Sequence, residues 1–196
     1  RFAPERAMSM IAIIHHSGYG HTRRMAEFVQ NGVTKAGATP HFLTIDANGD
    51  LPAEAWDILN RADGMLFGAP TYMGGPSWQF KKFADASSKI WFGMGWRDKF
   101  AGGFTNSATM NGDKFSTITY FVTLAMQHGM VWIGTGMMPS NTKSATRESL
   151  NYVGGFTGAL AQSPADASVA EMVKGDLDTA EAYGERFAKF VAARAK

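Results

Sequence analysis

An apolar run that breaks into a small polar loop and then into helical spacing constrains this chain more than any other feature. Ile11 to Thr22 reads IAIIHHSGYGHT, and Arg23 to Val33 carries apolar residues at helical intervals. A strand feeding a helix through Ser17-Gly18-Tyr19-Gly20-His21-Thr22 builds an anion site. Unpaired backbone N–H groups converge at the helix N-terminus, where the macrodipole favours negative charge. Ser17 and Thr22 supply hydroxyls, and Gly18 and Gly20 let the backbone come close to a guest. A phosphate monoester fits such a loop. The same residues also make an ordinary helix cap, and the loop alone does not separate the two readings.

Two nucleotide motifs are excluded here. No Gly-Lys-Ser/Thr ending follows the glycines, as a P-loop requires, and the third glycine of a dinucleotide fingerprint is missing. A phosphate held without an obligatory lysine suits a mononucleotide better than a triphosphate. FMN in flavodoxin-like folds is one mononucleotide bound at a first βα turn.

The rest of the chain alternates in the same way. Strands are expected at Met10–His15, Pro40–Ile45, Gly64–Ala69, Lys99–Thr105 and Met130–Thr135. Helices are expected at 21–36, 53–61, 77–88, 113–128 and 176–195, with Gly37 and Gly129 closing two of them. Five short strands separated by helices predict an α/β three-layer sandwich around a five-stranded parallel sheet. With 196 residues, 45% of them hydrophobic, the chain fills one core rather than two. Residues 1–9 (RFAPERAMS) read as an expression scar or a loose extension, and 10–196 as the domain.

Composition narrows the function classes. A net charge of +2, with Lys and Arg scattered, does not point to nucleic acid. It also lacks the one-signed excess with which a small electron carrier docks its partners. The absence of cysteine excludes disulfides, Fe–S clusters and thiolate zinc sites, and suits a cytoplasmic setting. No apolar run is long enough for a membrane span, and the histidines lack the carboxylate cluster of a metal site.

Ligands of such a sheet sit beyond the carboxyl ends of its strands. After the third strand comes Pro70-Thr71-Tyr72-Met73-Gly74-Gly75-Pro76, whose prolines fix the backbone and whose glycines free it. Tyr72 is placed to lie against a flat aromatic ligand; a rigid turn with a surface tyrosine reads equally from these residues. After the fourth strand, Thr105-Asn106-Ser107-Ala108-Thr109-Met110-Asn111-Gly112 is rich in small hydrogen-bonding groups, as the polar edge of a ring system or a solvated loop would be.

SGYGHT, GAPTYMGGP, Lys81-Lys82-Phe83, the Trp91 neighbourhood and LAMQHGMV, in this order, resemble the WrbA-type NAD(P)H:quinone oxidoreductases of the flavodoxin-like fold. The resemblance implies non-covalent FMN, two-electron reduction by NADH or NADPH, hydride delivery to a quinone in a ping-pong cycle, and a homo-oligomer, tetramer or dimer. By motif, Ser17, Tyr19, Gly20, His21 and Thr22 would hold the FMN phosphate. Pro70, Thr71, Tyr72, Met73 and Gly74 would line the isoalloxazine, and Thr105, Asn106 and Ser107 would touch the ring or ribityl chain. His128 matches a catalytic histidine near the flavin and Trp91 an aromatic residue of the substrate pocket. A histidine at the end of a helix also gains from the dipole with no catalytic duty.

The chain departs from that pattern where the pocket is lined. Tyr72 stands for the commoner Arg, Met73 for a frequent Phe, and Ala108 to Asp113 for a glycine run followed by Gln-Glu. Two other functions share the scaffold: a flavodoxin-like electron carrier without nicotinamide reactivity, and an FMN, azo or nitro reductase. Met137 to Gly175 shows no long periodic element, too long for a plain connection. It reads as a candidate active-site rim and subunit contact.

Overall fold

Side chains in β1 (Met10–His15) alternate between two apolar surroundings, so this strand is buried on both faces. Ile11 and Ile13 join one core cluster, and Ala12 and Ile14 the other. A strand buried twice needs helices above and below it, and the chain supplies them. The structure, a computed structural model, describes residues 8–194. The expected extension at residues 1–9 therefore lies, for residues 1–7, outside the described residues, as does the end of the last expected helix.

The elements follow in the order β1, α1 (His21–Lys35), β2 (Thr39–Thr44), α2 (Ala55–Arg61), β3 (Gly64–Tyr72), β4 (Gly75–Pro76), α3 (Trp78–Ala86), α4 (Ser88–Phe92), β5 (Phe100–Ser107), α5 (Lys114–Gln127), β6 (Val131–Trp132), β7 (Ala159–Gln162), a 3-10 turn (Val169–Glu171) and α6 (Lys174–Arg194). The parallel sheet runs β2-β1-β3-β5-β6, with β7 also on β5 and β4 folded back on β3. This is the flavodoxin-like order. Helices α1 and α6 cover one face, and α2, α3 and α5 the other.

Three expectations need correction. The third strand continues past Ala69 to Tyr72 and turns back into β4, so Pro76 lies in this hairpin and not in the first turn of a helix. Met73 and Gly74 at the tip have φ of 48° and 77°, the pair of positive angles that a tight two-residue hairpin demands. The expected helix at 77–88 is two, α3 and α4, meeting at Ser87.

The fifth strand position is shared by two pieces. Val131 and Trp132 pair with Phe100 and Ala101, the chain leaves, and Ala159 to Gln162 return to pair with Phe104 to Ser107. Tyr183 of α6 explains the break. Its hydroxyl accepts from the Gly103 N–H at 3.2 Å and donates to the Ile133 carbonyl at 2.6 Å, so it sits where ladder bonds would run. The excursion over 137–158 is held by Asn151, whose N–H donates to Thr179, and by Arg147, which grips Asp176 through both carboxylate oxygens at 3.0 and 2.7 Å.

Among the tryptophans, Trp96 is fully buried and Trp56 stacks on Phe83, while Trp78 is exposed.

Helices α1 and α6 touch backbone to backbone. A Cβ on Gly32 would strike the Glu181 carbonyl, and one on Gly184 the Val29 carbonyl. Backbone cannot yield as a side-chain tip can. Gly184→Ala is expected to cost about 2 kcal/mol or more, a fall of roughly 4–8 °C in Tm. Gly75→Ala, which meets no atom within 4 Å, is expected to stay within about 0.5 kcal/mol. Equal melting temperatures for the two variants would contradict the contact.

Candidate functional site

The sheet order reverses direction at β1, whose neighbours β2 and β3 follow on opposite sides, and a cleft opens where the carboxyl ends of β1, β3 and β5 meet. It holds about 270 Å³ and is lined by Ser17, Gly18, Tyr19, His21, Thr22, Pro70, Thr71, Tyr72, Asn106, Ser107, Ala108, Ser163, Pro164 and Ala165. No Asp, Glu, Lys or Arg is among them. An anion here is held without a lysine or arginine.

Those dipoles come from the backbone of the first loop. The N–H groups of Gly18, Tyr19, His21 and Thr22 have no acceptor among the described residues, because α1 begins its ladder only with Arg24 N–H on the Gly20 carbonyl at 2.9 Å. Gly20 caps the helix at φ 94°, a left-handed angle, and its N–H donates to Ser17 Oγ at 3.0 Å. A Cβ there would come 2.7 Å from Val169. The first turn of α1 contains no acidic residue to occupy the amides. Free donors, two hydroxyls and a helix N-terminus fit a phosphate monoester, and Tyr72 and Asn106 line the same cleft with an aromatic ring and an amide.

The cleft walls are fastened to each other. His16, directly after β1, shares a 2.8 Å hydrogen bond between Nδ1 and Ser77 Oγ at the start of α3. Thr71 Oγ1 donates to Thr117 Oγ1 at 2.8 Å and lies 2.8 Å from Thr105 Oγ1. Thr105 Oγ1 donates in turn to the Ala69 carbonyl at 2.7 Å. Ser163 Oγ donates to Asn106 Oδ1 at 2.9 Å, and His21 Nε2 to the Ala167 carbonyl at 3.0 Å. At the mouth, Tyr19 and Tyr72 meet edge to face, ring centres 6.4 Å apart.

The structure thus gathers Ser17, Tyr19, His21, Thr22, Pro70, Thr71, Tyr72, Asn106 and Ser107 at one cleft. Gly20 stands behind it as the helix cap. Met73, fully exposed, and Gly74 are the hairpin tip, and Thr105 is buried beneath the floor. The imidazole of His21 holds the 163–169 segment, so only its N–H faces the loop. Ala108 comes from the 105–112 loop, and Ser163, Pro164 and Ala165 from the 137–175 segment read as a candidate rim, although the sequence singles out none of these three. The short apolar run Ala159–Gln162 ending in Ser-Pro is a strand end of the kind that carries ligand groups, but nothing in the sequence places it beside β5.

Trp91 and His128 are not in the cleft of their own chain. Helix α5 starts near Ser107 and runs back for 14 residues, about 21 Å at the usual rise. His128 therefore lies by the start of β5, where the Asp98 N–H donates to the Gly129 carbonyl at 2.9 Å. It is buried against Trp96, ring centres 4.4 Å apart. Ser87 Oγ gives its proton to the Ala84 carbonyl, so His128 Nε2 donates to that oxygen at 2.9 Å and Nδ1 is left a buried lone pair without a donor. Burial lowers its pKa. Trp91 stands half-exposed on α4.

His15, under the phosphate-type loop, has its pKa lowered to about 4 by burial, then by the nearby Arg23 charge. His16 is lowered by burial as well. Both are neutral in the fold. The unfolded chain takes the proton first, so this stability is complete above about pH 6.5 and falls below it, for His15 until the pH nears about 4. For His15 the loss amounts to about 2 kcal/mol between about pH 7 and about pH 5. Urea unfolding of the protein and of His15→Leu at these two pH values checks it. The variant is expected to lose less stability on acidification, and an identical loss would contradict the assignment.

Comparison with known proteins adds to this geometry. The NADPH-dependent FMN reductase family matches residues 10–145. The chain is 47% identical over 182 residues to flavodoxin FldP of Pseudomonas aeruginosa (strain UCBPP-PA14), covering 93% of this chain and 96% of that one. It is 36% identical over 143 residues to an NAD(P)H dehydrogenase (quinone) of Geobacter sulfurreducens, 63% of this chain and 70% of that one. A crystal structure of a flavodoxin, WrbA-like protein from Agrobacterium tumefaciens superposes with a TM-score of 0.75 at 49% identity, covering 96% and 99% of the two chains.

Proposed function

The chain belongs to the NADPH-dependent FMN reductase family, as a WrbA-type flavodoxin-like protein, and on that premise we propose that it carries hydride from NADH or NADPH to a quinone through bound FMN. The observation that supports this most is the cleft itself: a ring of free amides at the N-terminus of α1, opening into uncharged walls at the strand reversal. FMN bound in this cleft would supply the two-electron hydride chemistry between the nicotinamide and the quinone.

The residues of this chain bind and orient. Amides of Gly18, Tyr19, His21 and Thr22, with the Ser17 and Thr22 hydroxyls, hold the phosphate against the helix dipole. Gly20 keeps the loop in its left-handed turn. Pro70 to Tyr72 form one wall for the ring, and Asn106 and Ser107 the other. Met73 and Gly74 turn the hairpin that carries Tyr72. Within one chain the described cleft is lined by amides, hydroxyls and aromatic rings, with no carboxylate, thiol or amine, which supports a reaction whose reactivity comes from the cofactor. We do not assign Trp91 or His128 a role in the cleft of their own chain.

A homo-oligomer, dimer or tetramer, accords with the exposure of Phe92, Phe115, Met138 and Phe156. Residues 10–196 are taken as the domain and the cytoplasm as its setting; no helix among the described residues is long and apolar enough to cross a membrane.

One observation favours a second reading, an electron carrier: the relative from Pseudomonas aeruginosa is named a flavodoxin. The small net charge weighs against it. An anaerobic titration of FMN-loaded protein with NADH and with NADPH separates the two. The flavin absorbance is expected to bleach fully with at least one nicotinamide and to return on adding benzoquinone. A flavin that stays oxidised with both, yet bleaches with dithionite, would overturn the reductase in favour of the carrier.

A further inference from the structure

Lys114 is the least expected side chain near the cleft. It opens helix α5 and is 1% exposed. Its ammonium donates to three successive carbonyls, those of Thr109 at 2.7 Å, Met110 at 2.8 Å and Asn111 at 3.3 Å. All three of its protons are used, and none goes to a carboxylate. A cation in the first turn opposes the helix dipole, and Asp113 at the N-cap makes no hydrogen bond to the ammonium among the described residues. Burial lowers the lysine pKa to about 8; the field of Asp176 on α6 acts against this and that of Arg147 with it. The fold therefore maintains a buried positive charge at a cost, and the three carbonyl bonds offset that cost.

Three carbonyls turned inward on one ammonium turn the peptide units of the loop the other way. The N–H groups of Ala108, Thr109, Met110, Asn111 and Gly112 have no acceptor among the described residues. The loop is also tied to the cleft wall. Ser107 Oγ donates to the Thr109 carbonyl at 3.0 Å, the same oxygen that Lys114 grips. The ammonium therefore lies within about 6 Å of Ser107 Oγ, which lines the cleft. Gln162 Nε2 holds the Ala108 carbonyl at 2.7 Å, and Gly112 packs so closely on Ser107 that a Cβ would strike its hydroxyl. The loop at 108–111 is exposed, but Lys114 and Ser107 beneath it are buried, so the charge reaches the cleft wall through protein rather than through water.

We propose that Lys114 is a positioning residue for the flavin ring: it winds the loop at 108–112 so that Ser107 and Ala108 meet the ring, and its charge favours the reduced over the oxidised cofactor. This rests on the FMN reading above. Hydride transfer to the ring adds two electrons and one proton, so the reduced ring carries one more negative charge. A fixed cation behind the wall stabilises that charge. The nicotinamide supplies the hydride, and the proton balance needs no group on Lys114 to titrate.

The test compares wild-type protein with Lys114→Met, which keeps the length and removes the charge, and Lys114→Gln, which also keeps hydrogen-bond donors. The readouts are FMN and riboflavin binding to the apoprotein, and the midpoint potential of the bound flavin by dye equilibration. Both variants are expected to bind FMN and riboflavin at least tenfold more weakly, and in the same ratio, because the loop faces the ring and not the phosphate. The preference for the reduced form is expected to fall at least tenfold, about 30 mV in a two-electron midpoint. Lys114→Gln carries the test if Lys114→Met does not fold. An unchanged midpoint in the folded neutral variant would overturn the proposal, whatever happens to affinity, and leave Lys114 a purely structural prop. Wild-type protein that takes up no FMN would overturn the functional reading along with it.

Discussion

The position of helix α1 decides most of what this molecule can do. The helix is held by backbone contact with α6, through Gly32 on one side and Gly184 on the other, and by Met25, Ala26, Val29 and Val33 against the sheet. With both its axis and its depth set, its N-terminus has only one place to point, the carboxyl end of β1. The free amides of its first turn then stand at the head of the cleft. The energy that orders this site is core packing some way from it, as preorganised sites require. Loops alone would have to pay that ordering cost each time a ligand entered.

A second consequence of the packing is the interrupted fifth strand. Tyr183 inserts its hydroxyl between Gly103 and Ile133 because Gly102 in β5 leaves room for it: a Cβ there would strike the hydroxyl. The chain is diverted outward, and when it returns as β7 it brings Ser163, Pro164 and Ala165 to the cleft. The Arg147–Asp176 pair anchors the detour, and Asp176 also accepts from the Gln162 N–H at 2.9 Å. Removing Arg147 would leave the buried Asp176 carboxylate without its cation, a change of about 3–5 kcal/mol, whereas Arg147 itself is partly exposed. The third wall of the cleft thus depends on a residue of the last helix.

Much of this was legible in the sequence because local signals and global architecture agree. The step from Ile14 to Thr22 changes period from strand to helix within a few residues, and the glycines and hydroxyls lie at the change. Gly37 and Gly129 mark helix ends with the positive φ they suggest. Less legible were features set by distant neighbours. Nothing near Met130 to Thr135 announces that Tyr183, some fifty residues on, will cut the strand short. The role of His21 as a tie to Ala167, and the burial of Thr105 under the floor, depend on which way a side chain leaves a loop or strand, which spacing does not determine. Lys114 reads as an ordinary charged helix residue until three carbonyls are seen around it. His128 and Trp91 entered through family resemblance, and the fold of one chain keeps both away from the cleft.

The central claim is that the first loop binds a phosphate, and it is tested most directly by titrating the flavin-free protein with FMN and with riboflavin in a calorimeter. The two ligands share the ring and ribityl chain and differ only in the phosphate. A dianion held by several backbone amides at a helix N-terminus predicts FMN tighter by tenfold or more, about 1.4 kcal/mol at the least. It also predicts that Gly20→Ala removes most of that difference while leaving riboflavin binding nearly unchanged. Equal affinities for the two ligands in the wild-type protein would contradict the account at its base.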